Sequence, residues 1–449
     1  MKPHALLWLR SGVTYRAVGS WLQAIDDPAI AGPPLLPDVD RVLAIHPGGV
    51  LIAHEHDPAR ADGWSAEEKA VGLDRVFRFV SLGGRPFDAA LLDALRALSV
   101  VERVEGGAVA TSPIPLATAK SRQPSDWAGE AVGLTEAHDV TTGSKDIVIA
   151  VLDTGVDPAH PEYAGRLLPG FDFVDILDGA DTFLGDRVDA DPDPTDPGVG
   201  HGSHVTGILT AKGARMATGM APGCRILPVR VLGAMRQDGR VIGAGLVDNI
   251  NTGIKWAVDH GAAVINMSLG IRHEGGGLPH IDVVRYAESK GVSVVAAAGN
   301  DGTDNLYYPG ALPGVLAVGA VDRDGSVAPY STWGAQVDIV APGTEIWSSW
   351  LDGGYAFATG TSQATPFVAG AVALCQSLAG ARGRRLSAGQ VFSVLTETAD
   401  REDRQFKTPR AGRGRLNVPD ALRLTAHRLD AGHRTDSPGP VTRRELIPA

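Results

Sequence analysis

The sequence is poor in cysteine, with only Cys224 and Cys375 among its 449 residues. Both lie in apolar segments, PGCRILPVRVL and GAVALCQSL. This setting is typical of small buried side chains and argues against a disulfide bridge or a metal pair. The cysteine content therefore favours a cytoplasmic protein.

Long apolar runs and an excess of basic residues are also missing. No run approaches the length of a membrane-spanning helix. The apolar stretch ALLWL before Arg10 is shorter than the roughly 7–15 residues of a secretory signal core. The net charge of −11 argues against nucleic acid as the main partner. We expect a cytoplasmic protein with neither a membrane nor a nucleic acid as partner, and secretion is the alternative.

What is present is enough apolar sequence, 44% of the chain, for one large domain and a smaller one. Residues 1–112 predict a small α+β unit. ALLWL and RVFRFVSL predict strands, TYRAVGSWLQAI and PFDAALLDALRAL helices, and DRVLAI with GVLIAHE a strand pair. The order β-α-β-β-α-β predicts a ferredoxin-like fold.

The rest of the chain divides into three parts. Residues 113–126, PIPLATAKSRQPSD, contain three prolines and predict an exposed linker and a candidate processing region. Over residues 127–427, apolar strands such as DIVIAVLD and VSVVAAAGN alternate with helices. This pattern predicts a parallel sheet covered on both faces. Residues 428–449 are polar and predict a disordered tail.

Three residue types with catalytic potential stand at the ends of predicted elements, where ligands of such sheets bind. Asp153 ends the strand IVIAVLD, His201 and His204 follow a glycine-rich loop, and Ser362 precedes an apolar run. Each has an ordinary structural explanation when taken alone. The aspartate could satisfy a turn, the two histidines could be structural or bind a metal, and the serine could cap a helix.

Taken together, the three residues suggest acyl transfer. A serine hydroxyl becomes a nucleophile when a histidine takes its proton and a carboxylate orients that histidine. The chain order Asp, His, Ser excludes the order of α/β-hydrolases, and their G-x-S-x-G motif is missing. The H-E-x-x-H pattern of zinc proteases is missing too, and the first strand–helix turn lacks G-x-G-x-x-G.

The segments VLDTGVDPAHPE, GHGSHVTGI and GTSQATPFVAG resemble the three motifs of the subtilisin-like serine proteases, the subtilases. The resemblance covers about residues 127–427 and implies a three-layer α/β fold around a parallel sheet. It implies a serine endopeptidase with Asp153, His201 as general base and Ser362 as nucleophile. Asn300, in AAAGNDG, would complete the oxyanion hole, and His204 would be structural. No cofactor is implied for the chemistry.

The same resemblance implies a cleft for an extended peptide. NMSLG would form one edge of the cleft, and DGRVIGAG, residues 238–245, would form the other. Tyr307 falls at the base of the P1 pocket, which we expect it to narrow. The implied substrate-binding residues are Ser268, Leu269, Gly270, Ala296, Ala297, Ala298, Gly299 and Tyr307.

An acidic stretch lies between Asp153 and His201. Such stretches are often only solvated, but closely spaced carboxylates also suit calcium, and DFVD and DADPDPTD resemble a calcium-binding loop of some subtilases. The loop that carries the family's strongest calcium site is short here, LTAKGARMATGMAP. The candidate ligands are Asp172, Asp175, Asp191 and Asp196.

The N-terminal unit is similar to the inhibitory prodomain of subtilases. We therefore expect a zymogen that cleaves itself within residues 112–126, with the prodomain and a peptide as partners; an accessory domain is the alternative. Two rivals compete with the protease: a catalytically silent peptide-binding module, and an esterase or transacylase. The intact set of four catalytic residues argues against the first, and the NMSLG edge against the second.

Overall fold

The structure is a computed structural model. It describes residues 3–27, 29, 32, 34–112, 125–174, 190–237, 240–273, 275, 277–401 and 410–431. Most of the predicted linker, most of the predicted tail and part of the acidic stretch therefore lie outside the described residues. Within the described residues, no helix is long and apolar enough to cross a membrane.

The N-terminal residues form a four-stranded antiparallel sheet. Its elements are β1 (His4–Leu9), α1 (Trp21–Asp26), α2 (Pro37–Leu43), β2 (Val50–His54), α3 (Ala66–Val71), β3 (Val76–Ser81), α4 (Ala89–Arg96) and β4 (Val101–Gly106). The strand order is β2-β3-β1-β4, with every neighbouring pair antiparallel. This is the strand arrangement of the ferredoxin-like fold expected from the sequence.

Two local predictions in this unit are wrong. DRVLAI, predicted as a strand, belongs mostly to α2, which has Pro37 at its start and buries Val39 and Leu43, four residues apart. Pro favours the first helical turn, and a spacing of four residues is helical. The predicted helix TYRAVGSWLQAI is helical only from Trp21, because Ser20 forms a capping box with Gln23.

The larger part of the chain is built on a seven-stranded parallel sheet of order β16-β15-β13-β11-β6-β8-β7. The prediction of a parallel α/β domain is confirmed. The elements in chain order are β5 (Val109–Ser112), α5 (Trp127–Ala131), α6 (Leu134–Val140), β6 (Val148–Asp153), β7 (Phe171–Asp172), α7 (His201–Thr210), β8 (Arg225–Arg230), β9 (Gly233–Gln237), β10 (Arg240–Leu246), α8 (Val247–Asp259), β11 (Val264–Met267), β12 (Ile271–Arg272), α9 (Ile281–Ser289), β13 (Ser293–Ala297), β14 (Tyr307–Tyr308), β15 (Val315–Val321), β16 (Ile339–Pro342), β17 (Ile346–Ser349), β18 (Tyr355–Ala358), α10 (Thr361–Gly380), α11 (Ala388–Glu397) and α12 (Val418–Asp430).

The sheet separates two hydrophobic cores. Along β6, Ile149 and Val151 belong to the core that surrounds α10. Ala150 and Leu152 belong to the core beneath α8 and α9. Because successive side chains of a strand point to opposite faces, a strand buried on both faces is apolar throughout. This explains the continuous apolar runs of the sequence.

The residues after β4 leave the N-terminal sheet. The prediction that VVERVEGGAVATS closes that sheet holds only for its first part, since β5 pairs instead with β10 in the other unit. The pairing is antiparallel and joins Ser112 to Gly243 and Val109 to Leu246. A single strand of the N-terminal segment thus extends a sheet of the larger unit.

The contact between the two units is rich in buried charge. Arg78 of β3 pairs with Glu55 at 2.8 Å and with Asp248 of α8 at 3.3 Å, and His4 pairs with Asp248 at 3.0 Å. On the same helix, Lys255 binds Glu68 of the N-terminal unit at 2.7 Å. Buried charges are costly unless they are paired. The Arg78–Glu55 pair lies within the N-terminal unit, whereas the pairs made by Asp248 and Lys255 run across the contact. The two units are therefore held together by specific partners.

Candidate active site

The first two catalytic candidates meet at the carboxyl end of β6. Asp153 ends that strand, and His201 is the first residue of α7. His201 Nδ1 lies 2.7 Å from Asp153 Oδ1, and both residues are fully buried. The carboxylate also accepts the N–H of Thr154 at 2.8 Å. This pair fixes the ring orientation and leaves Nε2 as the nitrogen that can take a proton.

A glycine allows α7 to reach the aspartate. A Cβ added to Gly202 would lie 2.1 Å from the carbonyl oxygen of Gly155 and 3.1 Å from Asp153 Cβ. Any side chain would push the helix away, so the glycine of the H-G-S-H motif keeps His201 within reach of Asp153.

His204 has the structural role expected for it. It is buried, and its Nε2 donates to the carbonyl oxygens of Ile346 and Ala356. Burial lowers the pKa of His204 to about 3. The ring therefore stays neutral and anchors α7 to the hairpin of β17 and β18.

Ser362 is the second residue of α10, after the glycine cap Gly360. The prediction that the serine caps the helix is therefore wrong. Pro366 lies inside the helix, and it has no N–H to bond the carbonyl of Ser362 four residues earlier. Ser268 Oγ donates to that carbonyl at 2.8 Å instead. Because of the proline, the Ser362 carbonyl is available to accept this bond from Ser268, which ties the first turn of α10 to the NMSLG segment.

The hydroxyl of Ser362 donates to the carbonyl of Ser268 at 3.0 Å. Catalysis requires the hydroxyl to turn from this carbonyl to Nε2 of His201, which is a side-chain rotation.

Ser112, at the end of β5, occupies the space in front of the histidine. Its Oγ lies 3.1 Å from Nε2 and 3.4 Å from Nδ1 of His201. An oxygen in line with the Nε2 lone pair would be much farther from Nδ1, so the hydroxyl lies against the face of the ring. It donates to the Ser268 carbonyl at 3.0 Å. The sequence reasoning missed Ser112, because VATS carries no catalytic motif.

Asn300 stands beside the start of α10. Its Oδ1 accepts the N–H of Thr361 at 2.7 Å and the hydroxyl of Thr361 at 2.9 Å. Because the oxygen end is held in this way, the NH₂ end is left to donate. The N–H of Ser362, in the first turn, has no hydrogen-bond acceptor among the residues that the structure describes. These two donors fit an oxyanion at Ser362.

The predicted substrate edges lie on either side of β5. Gly270 exchanges two backbone hydrogen bonds of 3.2 Å with Thr111, and β10 pairs along the other side. Leu269 is buried in the hydrophobic core beneath α8 and α9. The residues Ala296, Ala297, Ala298 and Gly299 end β13 and continue into the turn before Asn300.

Tyr307 lies between the two predicted walls of the P1 pocket. A Cβ added to Gly299 would lie 2.5 Å from its ring, and one added to Gly270 would lie 3.6 Å from it. Its hydroxyl reaches Asp301 Oδ2 at 3.3 Å. The ring therefore spans the distance from one wall to the other.

Comparison with known proteins identifies the family. Residues 144–417 match the profile of the Subtilase family. The chain is a subtilase. It is 41% identical to the thermophilic serine proteinase of Bacillus sp. (strain AK1) over 267 residues, which are 59% of this chain and 59% of that protein. It is 38% identical to thermitase of Thermoactinomyces vulgaris over 268 residues, 59% of this chain and 85% of that one.

A solved structure agrees with this assignment. The prenylagaramide maturation protease PagA is 31% identical, with a TM-score of 0.54, over 65% of this chain and 98% of its own. This subtilase is a serine endopeptidase, and its catalysis needs no cofactor.

In the described part of the acidic stretch, the candidate metal ligands bind protein groups. Asp172 pairs with the Arg230 guanidinium, and its burial raises the pKa of its carboxyl to about 7. Asp196 accepts the Thr154 hydroxyl at 2.6 Å and the N–H groups of residues 198–200. Among the described residues no group of three or more His, Cys, Asp or Glu gathers as a metal site. Asp191 pairs with Asp172 through the backbone, and its Oδ1 accepts the N–H of Asp193 at 2.7 Å. Asp175 lies outside the described residues.

We expect Asn300→Ala to lower kcat by about 10²–10³ with little change in KM, a figure known from subtilisin itself. The reason is the loss of the Asn300 amide, the side-chain donor expected to bind the developing oxyanion. Steady-state hydrolysis of a chromogenic peptide measures the effect. In the control variant Thr361→Val the NH₂ group stays, so we expect a smaller loss. An equal loss in both variants would contradict a direct role of the amide.

Proposed function

We propose that this serine endopeptidase is made as an inactive precursor, in which residues 1–112 inhibit the protease and are removed by self-cleavage within residues 112–126. The proposal rests on the position of β5. It lies between β10 and Gly270, the two edges expected to bind substrate, and it ends at His201. The N-terminal unit therefore holds the cleft as a substrate would.

The backbone contacts of β5 are those of strand addition. Thr111 uses both its N–H and its carbonyl on Gly270, and the register with β10 extends over four residue pairs. Main-chain bonds of this kind give affinity regardless of side chains. A substrate needs the same groups on the enzyme, so β5 and a substrate exclude one another.

The test is mass spectrometry of the purified protein and of Ser362→Ala, each treated with a fluorophosphonate. We expect an adduct on Ser362 in the wild type, and a new N-terminus within residues 112–126 in the wild type alone. A shorter band in Ser362→Ala, purified without other proteases, would refute self-cleavage. An adduct without cleavage would support the serine protease but would indicate that the N-terminal unit is an accessory domain.

If the N-terminal unit has been shown to be displaced and still no adduct forms, the protease itself is contradicted. That outcome would favour the silent peptide-binding module. The esterase alternative is separated by offering matched ester and amide substrates with the same extended peptide.

We also propose that Tyr307 restricts the P1 residue of the substrate to small side chains. The ring lies between Gly270 and Gly299, where a large P1 side chain would enter. We expect Tyr307→Ala to raise kcat/KM for an aromatic P1 residue relative to alanine by about tenfold or more. Paired peptides that differ only at P1 measure this ratio.

The matched control is Tyr307→Phe, which keeps the ring and loses only the bond to Asp301. We expect its P1 preference to equal that of the wild type. A wild-type protein that already prefers large aromatic P1 residues would refute the proposal.

Two further predictions are kept as proposals. Calcium binding at the acidic stretch predicts a higher Tm on adding calcium to chelator-treated protein.

A cytoplasmic location predicts recovery of the protein in the soluble cell fraction with both thiols reduced. The two cysteines are free and buried.

A further inference from the structure

Two buried histidines, one from each unit, line a cavity at the contact between the units. His56 follows β2 in the N-terminal unit, and His280 precedes α9 in the catalytic unit. Each is 3% exposed. Both line one small cavity together with Trp8 of β1 and Asn251 of α8. One cavity thus joins a histidine from each unit.

Each of these rings has a buried nitrogen without a hydrogen-bond partner. For His280 it is Nε2 and for His56 it is Nδ1. His280 Nδ1 lies 2.7 Å from Asn251 Oδ1, and an amide oxygen only accepts, so Nδ1 carries the proton of the neutral ring. A second proton on Nε2 would be a buried charged donor without an acceptor.

The charged groups around the cavity are already paired. Its carboxylates are Glu55, Glu105 and Asp282. Glu55 is bound by Arg78, and the other two are bound by Arg103.

The remaining charged neighbours are paired as well. Asp248 is bound by His4 and Arg78. Lys255, which faces His56, is bound by Glu68 and Asp259. Protonated rings would therefore find no free counter-ion among the described residues.

Both rings are held neutral in the contact. Burial lowers the pKa of His280 to about 3, although the charge of Asp248 acts in the opposite direction. Burial, together with the charges of Lys255, His54 and Arg78, lowers the pKa of His56 well below its usual range.

We propose that His56 and His280 form an acid-sensitive joint that releases the N-terminal unit from the catalytic unit at mildly acid pH. After release, a solvated histidine takes up a proton near pH 6.5. In the contact it does so only at much lower pH. The contact is therefore strongest above pH 6.5 and weakens as the pH falls below it. His280 alone weakens the association about 30-fold at pH 5, and His56 acts in the same direction.

Two carboxyls oppose the histidines. Burial raises the pKa of Glu55 and Glu105, so protonation of these groups favours the contact as the pH falls. The measured change is the balance of both effects, and variants of the histidines separate them.

The experiment uses the full chain with Ser362→Ala and the recognition sequence of an unrelated protease placed within residues 113–124. After cutting, the affinity between the two parts is measured at pH 8 and at pH 5. We expect the affinity to fall at pH 5, by about 30-fold for His280 less the opposing effect of the two carboxyls. In the variant His56→Gln with His280→Asn the fall should largely disappear, whereas His427→Gln, an exposed histidine on α12, should behave like the parent.

An equal fall in the double variant, or none in the parent, overturns the proposal. If the double variant does not associate at pH 8, His280→Asn alone decides; Asn tolerates the positive φ of 69° found at this position. Only the regulatory meaning of the release rests on the proposed inhibitory role. In a cut wild-type chain from which the released unit has been removed at pH 5, no gain in peptide hydrolysis on return to pH 8 would refute inhibition while keeping the joint.

Discussion

Replacing His201 with alanine is expected to reduce kcat by about 10⁶, and replacing Ser362 to do the same; both figures are those of subtilisin. His201 is the base joined to Asp153 at 2.7 Å, and without it nothing takes the proton of the serine. Asp153→Ala should cost less, about 10⁴. Single-turnover hydrolysis of a peptide ester or amide measures these losses, since residual rates are low.

The reductions in kcat caused by the single substitutions should not add when the substitutions are combined. The double variant of His201 and Ser362 should be no slower than either single variant, because the two residues act as a unit. His204→Ala is the informative comparison, since His204 is buried on the same helix but bonds only backbone carbonyls. A larger loss of kcat in His204→Ala than in His201→Ala would reverse the assignment of the base.

The second large effect concerns the buried pair of Arg78 and Glu55. Glu55→Ala is expected to destabilise the uncut chain by about 3–5 kcal/mol, because it leaves a buried guanidinium short of a partner. The side chains are 1% and 0% exposed, and their atoms lie 2.8 Å apart. The effect is measured by urea unfolding in the Ser362→Ala background, as the change that Glu55→Ala makes in the free energy of the first unfolding transition.

Glu102→Ala is the control for this prediction. Glu102 faces Arg75 at 3.5 Å with its side chain 48% exposed. Exposed pairs contribute less than about 1 kcal/mol. A similar loss of unfolding free energy in both variants would mean that burial does not determine the strength of the Arg78 pair.

The catalytic residues could be found from the sequence because their motifs are local. Asp153, His201 and Ser362 each follow or begin an element whose apolar pattern is plain, and the carboxyl ends of parallel strands share one edge. Nothing local marks Ser112, whose partners on β10 are more than a hundred residues away along the chain. The ion pair of Asp172 is hidden from the sequence for the same reason, since its partner Arg230 comes from another strand, β8.

Buried charge was likewise hidden from the sequence. Arg78 in RVFRFVSL alternates with apolar residues as an outward-facing residue of a strand would. The outer face of that sheet is covered by α8, which supplies Asp248. A pattern of alternation shows which residues share a face, but it does not show what covers that face.

In the proposed precursor β5 belongs to the same chain as Ser362, so it would compete with substrate as a tethered ligand. A tethered ligand meets its site at an effective concentration that does not change on dilution. Once the chain is cut, the same strand would bind at the concentration of the released unit. Cleavage would thus convert a block that is independent of protein concentration into one that dilution alone relieves.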